Sequence, residues 1–562
     1  MSLKKIGAIA VVGAALTGCG KFNLNLINYK VNPSPLELHN DSVTITVSAE
    51  YPAKLMPRKG SATVTPVLKY KGGERAFKAV TFQGDRATGN GEVISRDGGS
   101  IKAYKSTIAF TEAMEVAELH VTGVGSVNGK EKKTETTTTP IALGVITTPR
   151  LVQPTARFTA APNKFGPVYK TQKVTFFFAY NSAVLRPGER KSEEMKAFRA
   201  FVDAQMAAGA TLEKLDIQGW ASPDGEETKN QTLSNGRAEA VRKMFMDYFV
   251  KEKKVTTVQF TSNGNGEDRS GFSSKMGNAQ FEKKSDITTK VNNGVSNAEL
   301  RRIGASIYAT LEKEVLGPLR RVEVTLTVKE REKTNEELLS FAMSSPEKLN
   351  IEEFLHTADK VATTNEQRLQ ILANAERQFP EDARPFNNRG VIFTQNNKFD
   401  EALQEFLKAE KLAPNDMAVK GNIGGIYVRK GDRAKALQYL TPARGANKDA
   451  DYNLGTIFIS QAKYSDAVSL FGSDCSFNAA LAQILAGSPE KAMNTLSCAK
   501  EKDEAMSFYL RAVAAARTKS NQAVFENLRT AIQKDGSLKA KAKADLEFLK
   551  LRENSEFTSL VN

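Results

Sequence analysis

The chain has 562 residues, with 79 basic and 64 acidic side chains and a formal net charge of +15. A composition that is 40% hydrophobic and 25% charged is typical of globular proteins and argues against a mainly disordered chain. The length predicts about three or four domains. The interior contains no apolar run of about 18 residues, which argues against a polytopic membrane protein.

The excess of basic side chains has two interpretations. It can attract an anionic partner such as nucleic acid, lipid headgroups or cell-wall polymer, or it can simply be a solvated surface. The lysines are dispersed and form no long block, which favours the second interpretation and indicates no nucleic-acid partner. Three histidines, His39, His120 and His356, lie far apart without the ligand spacing of a zinc site. We therefore expect neither a metal nor a cofactor.

Residues 1–18 are expected to be a secretory signal peptide. Two lysines precede a short apolar run at 6–15, which is too short to span a membrane as a stable helix. The next four residues, Leu16-Thr17-Gly18-Cys19, resemble the lipobox of bacterial lipoproteins. That resemblance implies cleavage before Cys19 and its acylation, and two or three acyl chains anchor a protein stably. The alternative is an ordinary signal peptide with a chance cysteine.

The residues after Cys19 indicate which membrane the anchored protein reaches and which side of that membrane it faces. Gly20 stands where an aspartate would signal retention in the inner membrane, so resemblance favours the outer membrane. Residues 21–23 lack the acidic run that some bacterial groups use for surface export. We therefore expect a lipid-anchored protein that faces the periplasm.

Residues 19–147 are predicted to form a β-sandwich of immunoglobulin-like type. Apolar and polar residues alternate with period two at 43–47 and 62–68, and clusters of Gly, Asn and Asp separate the strand-like runs. Residues 148–168 contain four prolines, which indicates a partly extended linker. Residues 169–330 alternate strand-like and helix-like patterns, which predicts an α/β layer.

Three pieces of the 169–330 segment resemble the C-terminal domain of the OmpA family, which binds peptidoglycan. They are the opening strand and turn at 176–187, the motif at 217–238 and the closing strand at 320–324. The motif matches the family signature in its spacing. Residues at about 270–315 are expected to be an insertion into this domain.

The resemblance also implies a site. In the family an Asp and an Arg hold opposite poles of diaminopimelate, which suits a zwitterion because one group only accepts and the other only donates hydrogen bonds. The Arg position is Arg237, but the Asp position is the neutral Ser222. Asp224 follows in the same turn as a substitute charge, and Asn230 is expected to fix the loop through backbone bonds. Either these four residues still bind peptidoglycan, or the pocket now serves protein contacts.

Residues 331–562 are predicted to form an all-helical array of repeats. Their small and aromatic positions resemble the tetratricopeptide repeat, in which small residues let two helices approach closely and neighbouring pairs stack. Such arrays usually bind a protein segment on their concave face. The matching positions of the first copy are Phe386, Gly390, Phe393, Ala402, Phe406, Ala409 and Pro414, and those of the second are Gly424, Tyr427, Ala436, Leu440 and Ala443.

Cys475 and Cys498 are a candidate disulfide pair within this array. A turn predicted at 487–489 lies about midway between them, so an antiparallel hairpin would bring the two cysteines together. An exported location permits the bond, which would stabilise the fold by about 3 kcal/mol. The alternative is two buried free thiols.

These patterns together favour a non-catalytic outer-membrane lipoprotein. It would tether the membrane to peptidoglycan and recruit a protein partner through its repeats. The domain order resembles multi-domain lipoproteins of Bacteroidetes-type bacteria. The alternative is an accessory scaffold subunit of an outer-membrane assembly or secretion complex. No histidine cluster or nucleophile elbow indicates an enzyme.

Overall fold

The computed structural model describes residues 23–131, 134–280 and 282–562. The predicted signal peptide at 1–18 and Cys19 lie outside the described residues. The chain divides into two compact units: the first contains the chain up to Pro162 together with Glu376–Asn562, and the second is Asn163–Ala375. Among the described helices, none combines the length and the apolar character needed to cross a bilayer.

The N-terminal part of the first unit is rich in strands. It has short 3₁₀ turns at Leu24–Leu26, Glu112–Met114 and Thr148–Leu151. Its strands are β1 (Asn28–Asn32), β2 (Leu36–His39), β3 (Ser42–Tyr51), β4 (Gly60–Tyr70), β5 (Gly73–Ala76), β6 (Val80–Gly84), β7 (Glu92–Ile94), β8 (Ser100–Ala109), β9 (Ala117–Val127), β10 (Lys130–Glu131), β11 (Glu135–Thr136), β12 (Ala142–Leu143) and β13 (Val145–Ile146).

These strands form two sheets that share a core. The first sheet has the order β1-β3-β2-β13, with β8 also paired to β3. The second has the order β10-β9-β4-β6-β7, with β5 on β4 and with β11 and β12 on β9. Ile45 and Val47 of β3 pack with Leu68 of β4 and Leu119 of β9. The period-two pattern therefore turns one face of each sheet inward.

The second unit contains a four-stranded sheet with helices. Its strands are β14 (Tyr169–Phe177), β15 (Thr211–Ala221), β16 (Gln259–Glu267) and β17 (Arg321–Lys329), in the order β14-β17-β15-β16. Only the β15–β16 pair is parallel within this sheet. A 3₁₀ turn at Glu189–Lys191 precedes α1 (Glu193–Ala207), and α2 (Glu227–Met246) continues as π-helix over Asp247–Glu252. Met195, Phe198 and Val202 of α1 lie in one core with the strands, as their spacing predicts.

A helical insertion separates β16 from β17. It contains α3 (Arg269–Asn278), α4 (Lys284–Asn292), α5 (Asn297–Arg301), α6 (Ala305–Leu311), a π-helix at Glu312–Leu316 and α7 (Gly317–Leu319). It has its own core, in which Phe272, Ile287 and Leu300 are buried. After β17 come α8 (Asn335–Ser344), a 3₁₀ turn at Pro346–Lys348, α9 (Ile351–His356), a π-helix at Thr357–Val361 and α10 (Asn365–Gln378).

The C-terminal part of the first unit is all helical. Gly390 faces Phe406, and an added Cβ would lie 2.5 Å from its ring; one at Gly424 would lie 2.5 Å from Leu440. Glycine at these equivalent positions therefore permits the close approach of paired helices. The helices are α11 (Ala383–Gln395), α12 (Phe399–Leu412), α13 (Met417–Lys430), α14 (Arg433–Leu440), α15 (Lys448–Ser460), α16 (Tyr464–Phe471), α17 (Phe477–Leu485), α18 (Pro489–Cys498), α19 (Ala505–Arg517), α20 (Asn521–Lys534), α21 (Leu538–Ala544), a 3₁₀ segment at Leu546–Leu551 and α22 (Ser555–Val561).

Cys475 and Cys498 are joined by a disulfide, with an S–S distance of 2.01 Å and a Cα–Cα distance of 5.5 Å. Cys475 lies just before α17, and Cys498 is the last residue of α18. The chain reverses between the two helices at Gly487, whose φ of 85° suits a residue without a Cβ. The bond therefore closes the open end of this helix pair.

Candidate functional site

A pocket of about 230 Å³ lies in the second unit, where β15 ends and α2 begins. All four predicted binding residues line it: Ser222, Asp224, Asn230 and Arg237. Ser222 and Asp224 lie on the loop between the strand and the helix. Asn230 and Arg237 are seven residues apart, which places them two turns apart on one face of α2.

Arg237 forms one wall of the pocket and is only 1% exposed. Its Nε and Nη1 donate to the carbonyls of Ser182 and Trp220, each at 2.9 Å, and Nη2 donates to the carbonyl of Ala179 at 3.4 Å. Burial, together with the charge of Arg320, lowers the pKa of Arg237 to about 10. The guanidinium thus links the loop after β14 to β15 and keeps a fixed orientation in the pocket.

Asp224 is paired within the protein. Nη2 of Arg320 donates to its Oδ2 at 3.4 Å, and the side-chain amide of Asn297 donates to the same oxygen. Nε of Arg320 also donates to Ser222 Oγ at 2.9 Å. Asp224 therefore places a negative charge in the pocket, and an internal arginine already faces that charge.

Arg320 is the centre of this network. Besides Asp224 and Ser222, it binds both carboxylate oxygens of Glu312, with Nη2–Oε2 at 2.8 Å. Burial opposes its charge, but the bonds to Glu312 and the charge of Asp224 outweigh burial and raise the pKa of Arg320. Burial likewise opposes the charge of Glu312, and the bonds from Arg320 lower the pKa of Glu312.

Asn230 has a different partner from the expected one. Its Nδ2 donates to Glu267 Oε1 at 2.9 Å, so the described side-chain bond joins α2 to the end of β16 rather than to its own loop. Glu267 also pairs with Arg269 at 2.7 Å. The expected side-chain bond to loop backbone is thus replaced by a carboxylate contact, because β16 ends beside the first turn of α2.

Sequence reasoning missed three residues of this site. In the sequence, Arg320 stands out only as the first residue of the closing-strand piece. The sequence signal for a buried arginine here is the pair Arg320-Arg321 at the start of an alternating strand. Neighbouring residues in extended chain point to opposite faces, so one of two adjacent arginines is directed inward. Asn297 and Glu312 come from the insertion, and no motif in the sequence places them at the pocket. The described residues contain no group of three or more His, Cys, Asp and Glu arranged to hold a metal.

Comparison with known proteins identifies part of the helical region. A family model for the tetratricopeptide repeat matches residues 369–416. No curated protein matches the chain. Among solved structures, YrrB, a repeat protein with an unusual peptide-binding site, is 26% identical over 30% of this chain and 97% of its own, with a TM-score of 0.25.

Two further solved structures resemble the chain. A tetratricopeptide-repeat protein from Parabacteroides merdae is 13% identical over 40% of this chain and 89% of its own, with a TM-score of 0.27. PilW, a type IV pilus biogenesis factor, is 15% identical over 41% of this chain and 100% of its own, also with a TM-score of 0.27. The family match and the paired helices identify the C-terminal region as tetratricopeptide repeats, a class of fold that mediates protein–protein interactions.

Proposed function

We propose that the protein is a non-catalytic scaffold that links the outer membrane to peptidoglycan. A lipid on Cys19 holds it in the membrane facing the periplasm, an OmpA-like domain at 169–330 binds the wall, and the repeats contribute protein contacts. The observation that carries the proposal is the pocket at the start of α2. It gathers a buried carboxylate, Asp224, and a buried guanidinium, Arg237, beside Ser222 and Asn230.

The order of elements supports an OmpA-like domain. The motif at 217–238 spans the end of β15 and the first part of α2, and the piece at 320–324 comprises Arg320 and the first four residues of β17, beside β15. The segment expected to be an insertion contributes its own helices between β16 and β17. The sheet therefore brings together motif pieces that lie about a hundred residues apart in the sequence.

The charges suggest how a stem peptide would bind. Arg237 and Arg320 face the same pocket as Asp224, and the exposed Lys229 also lines it. The exposed Glu226 lines it as well, so three positive side chains face two negative ones. A ligand carboxylate would therefore meet more positive than negative charge, whereas a ligand ammonium would have to share Asp224 with Arg320. We therefore expect the carboxylate of diaminopimelate to contribute most to binding.

The test is sedimentation of the detergent-solubilised full-length protein with purified peptidoglycan. We expect wild type to sediment, Arg237→Ala to stay in solution and Asp224→Ala to bind more weakly than wild type. Lys229→Glu is added because this exposed side chain can change without disturbing the core, and it should weaken binding. Lys196→Ala, on the exposed face of α1, is the matched control and should sediment like wild type. A wild-type protein that stays in the supernatant would refute the tether.

A second candidate is an accessory scaffold subunit of an outer-membrane assembly or secretion complex. The internal bonds of Arg237 and Asp224 favour it, because both charges have partners without a ligand. Its test is purification after mild crosslinking. Integral outer-membrane proteins should then accompany the chain in a fixed ratio, also in the Arg237→Ala variant.

A further inference from the structure

Residues 153–161, here called the strap, lie extended against the repeats of the same unit. They run along the face formed by α11, α13, α15 and α17, the first helices of four successive pairs, here called the first-helix face. One asparagine from each helix bonds both the N–H and the C=O of one strap residue. The pairs are Asn388 with Ala161 (2.7 and 3.3 Å), Asn422 with Thr159 (2.8 and 2.8 Å), Asn453 with Arg157 (2.8 and 2.8 Å) and Asn478 with Gln153 (2.9 and 2.8 Å).

These four asparagines form hydrogen bonds with the main chain of the strap. A carboxamide carries both donor and acceptor, so it can complete the hydrogen bonds of one extended residue regardless of that residue's side chain. Three of the four strap positions are spaced by two, the period at which an extended chain presents the same edge. Asn422, Asn453 and Asn478 are at most 1% exposed, and buried amides are costly without partners. The first-helix face is thus built for an extended segment.

Arg157 adds a specific side-chain contact. Its guanidinium donates to both carboxylate oxygens of Asp474, at 2.5 and 3.0 Å, and lies 3.8 Å from the ring centroid of Tyr452. Burial opposes the charge, but the bonds to Asp474 outweigh it and raise the pKa of Arg157. Asp474 immediately precedes the disulfide-bonded Cys475, so the closed end of that helix pair carries the acceptor. The planar guanidinium bonds both oxygens of Asp474 and lies over the Tyr452 ring, which a lysine ammonium cannot reproduce, so this position favours arginine over lysine.

Two helices behind the strap, α12 and α13, also fit it closely. Phe158 stacks on Phe406 with ring centroids 6.1 Å apart. Gly425, inside α13, faces the strap, and an added Cβ would lie 3.1 Å from the Phe158 ring and 2.7 Å from the Asn453 amide nitrogen. Glycine inside a helix costs about 1 kcal/mol relative to alanine. Its presence here is explained by the close passage of the strap.

We propose that the first-helix face is a receptor for an extended peptide with an Arg-Phe pair, and that its resident ligand is the strap of the same chain. A tethered ligand has an effective concentration in the millimolar range, so it excludes a free peptide at micromolar concentration. The face that was expected to receive an external protein is therefore closed by the chain itself, and the strap holds the β-sandwich side of the unit to the repeats.

The test uses the full-length protein and a fluorescent synthetic peptide of residues 151–162. The strap-loosened variant is Arg157→Ala with Phe158→Ala. We expect its dissociation constant for the peptide, measured by anisotropy, to be roughly 100-fold lower than that of wild type. Adding Asn422→Ala and Asn453→Ala to the loosened variant should abolish binding. Ala160→Ser changes an exposed strap position and should behave like wild type.

Each outcome decides the proposal. Equal binding of the peptide to wild type and to the loosened variant would mean that the strap is not seated in solution, and would overturn it. Failure of the loosened variant to bind, with its helical circular dichroism unchanged, would mean that the face has no affinity for the segment, and would also overturn it. A peptide carrying alanine at the position of Arg157 should bind the loosened variant at least about tenfold more weakly, since it loses a charge-assisted pair.

Discussion

Arg320 and Asp224 form an ion pair in which each side chain is 2% exposed, with Nη2 3.4 Å from Oδ2. Arg320 immediately precedes β17 and Asp224 lies in the loop after β15, so the pair joins the segment that follows one strand to the segment that leads into another. Because Glu312 also binds Arg320, a single guanidinium compensates two carboxylates. Stability of the second unit should depend strongly on this one side chain.

Replacement of Arg320 by alanine should destabilise the second unit by about 3–5 kcal/mol, because it leaves a buried carboxylate without a counter-charge. Trp220 is the only tryptophan of the chain and lies in β15, so its fluorescence reports urea unfolding of this unit. Arg302→Ala, an exposed arginine of the insertion, is the control and should change stability by less than about 0.5 kcal/mol. A similar small change for Arg320→Ala would contradict the central role of the network.

The same unit should lose stability in acid through Glu312. The pKa of Glu312 is lowered in the folded state from its ordinary value of 4.5, so the unfolded chain binds protons more readily. The contribution of this carboxylate is complete above about pH 4.5 and is lost as the pH falls through the lower folded value.

Glu312→Gln should therefore flatten the fall of the unfolding free energy between about pH 5 and pH 3, followed by Trp220 fluorescence in urea. Glu314→Gln alters an exposed glutamate two residues away and should leave the slope unchanged. Identical slopes for wild type and Glu312→Gln would show that this carboxylate does not titrate with folding.

Gly425→Ala should release the strap. Helix propensity alone predicts that this change stabilises α13 by about 1 kcal/mol, but the new Cβ would displace the Asn453 amide and press on Phe158. We expect tryptic cleavage after Arg157, followed by mass spectrometry, to accelerate roughly tenfold, because proteolysis tracks the open population. Gly277→Ala in α3 adds a Cβ in open space and should not change the rate. Slower cleavage in Gly425→Ala would show that propensity outweighs the clash.

Loss of the disulfide should destabilise the repeats. Cys475 and Cys498 are 23 residues apart, and a loop of this length corresponds to about 3 kcal/mol in the chain-entropy account. The double variant Cys475→Ser with Cys498→Ser should lower the urea midpoint of the helical circular dichroism signal. Dithiothreitol should shift wild type in the same direction and leave the double variant unchanged. An equal shift in the double variant would assign the effect to something other than this bond.

Local sequence patterns are sufficient to predict the individual strands and helices. Alternation with period two placed strands at 43–47 and 62–68, within β3 and β4, and the spacing of Met195, Phe198 and Val202 predicted the buried face of α1. Glycines 34 residues apart, Gly390 and Gly424, predicted helix pairs of the repeat. Such features depend on neighbours within a turn or a strand, so the chain reveals them directly.

The partners of charged and amide side chains were decided only by tertiary structure. Arg320 and Asn297 meet Asp224, and Glu312 joins them through Arg320, because a sheet and an insertion bring together positions up to 96 residues apart. Likewise, the prolines at 148–168 predicted an extended linker, but not that Arg157 would lie against Asp474, 317 residues further along. Sequence alone determined the periodic elements, because their signal is local. The network at Asp224 and the position of the strap against the repeats depend on long-range packing, for which a single sequence carries no periodic signal.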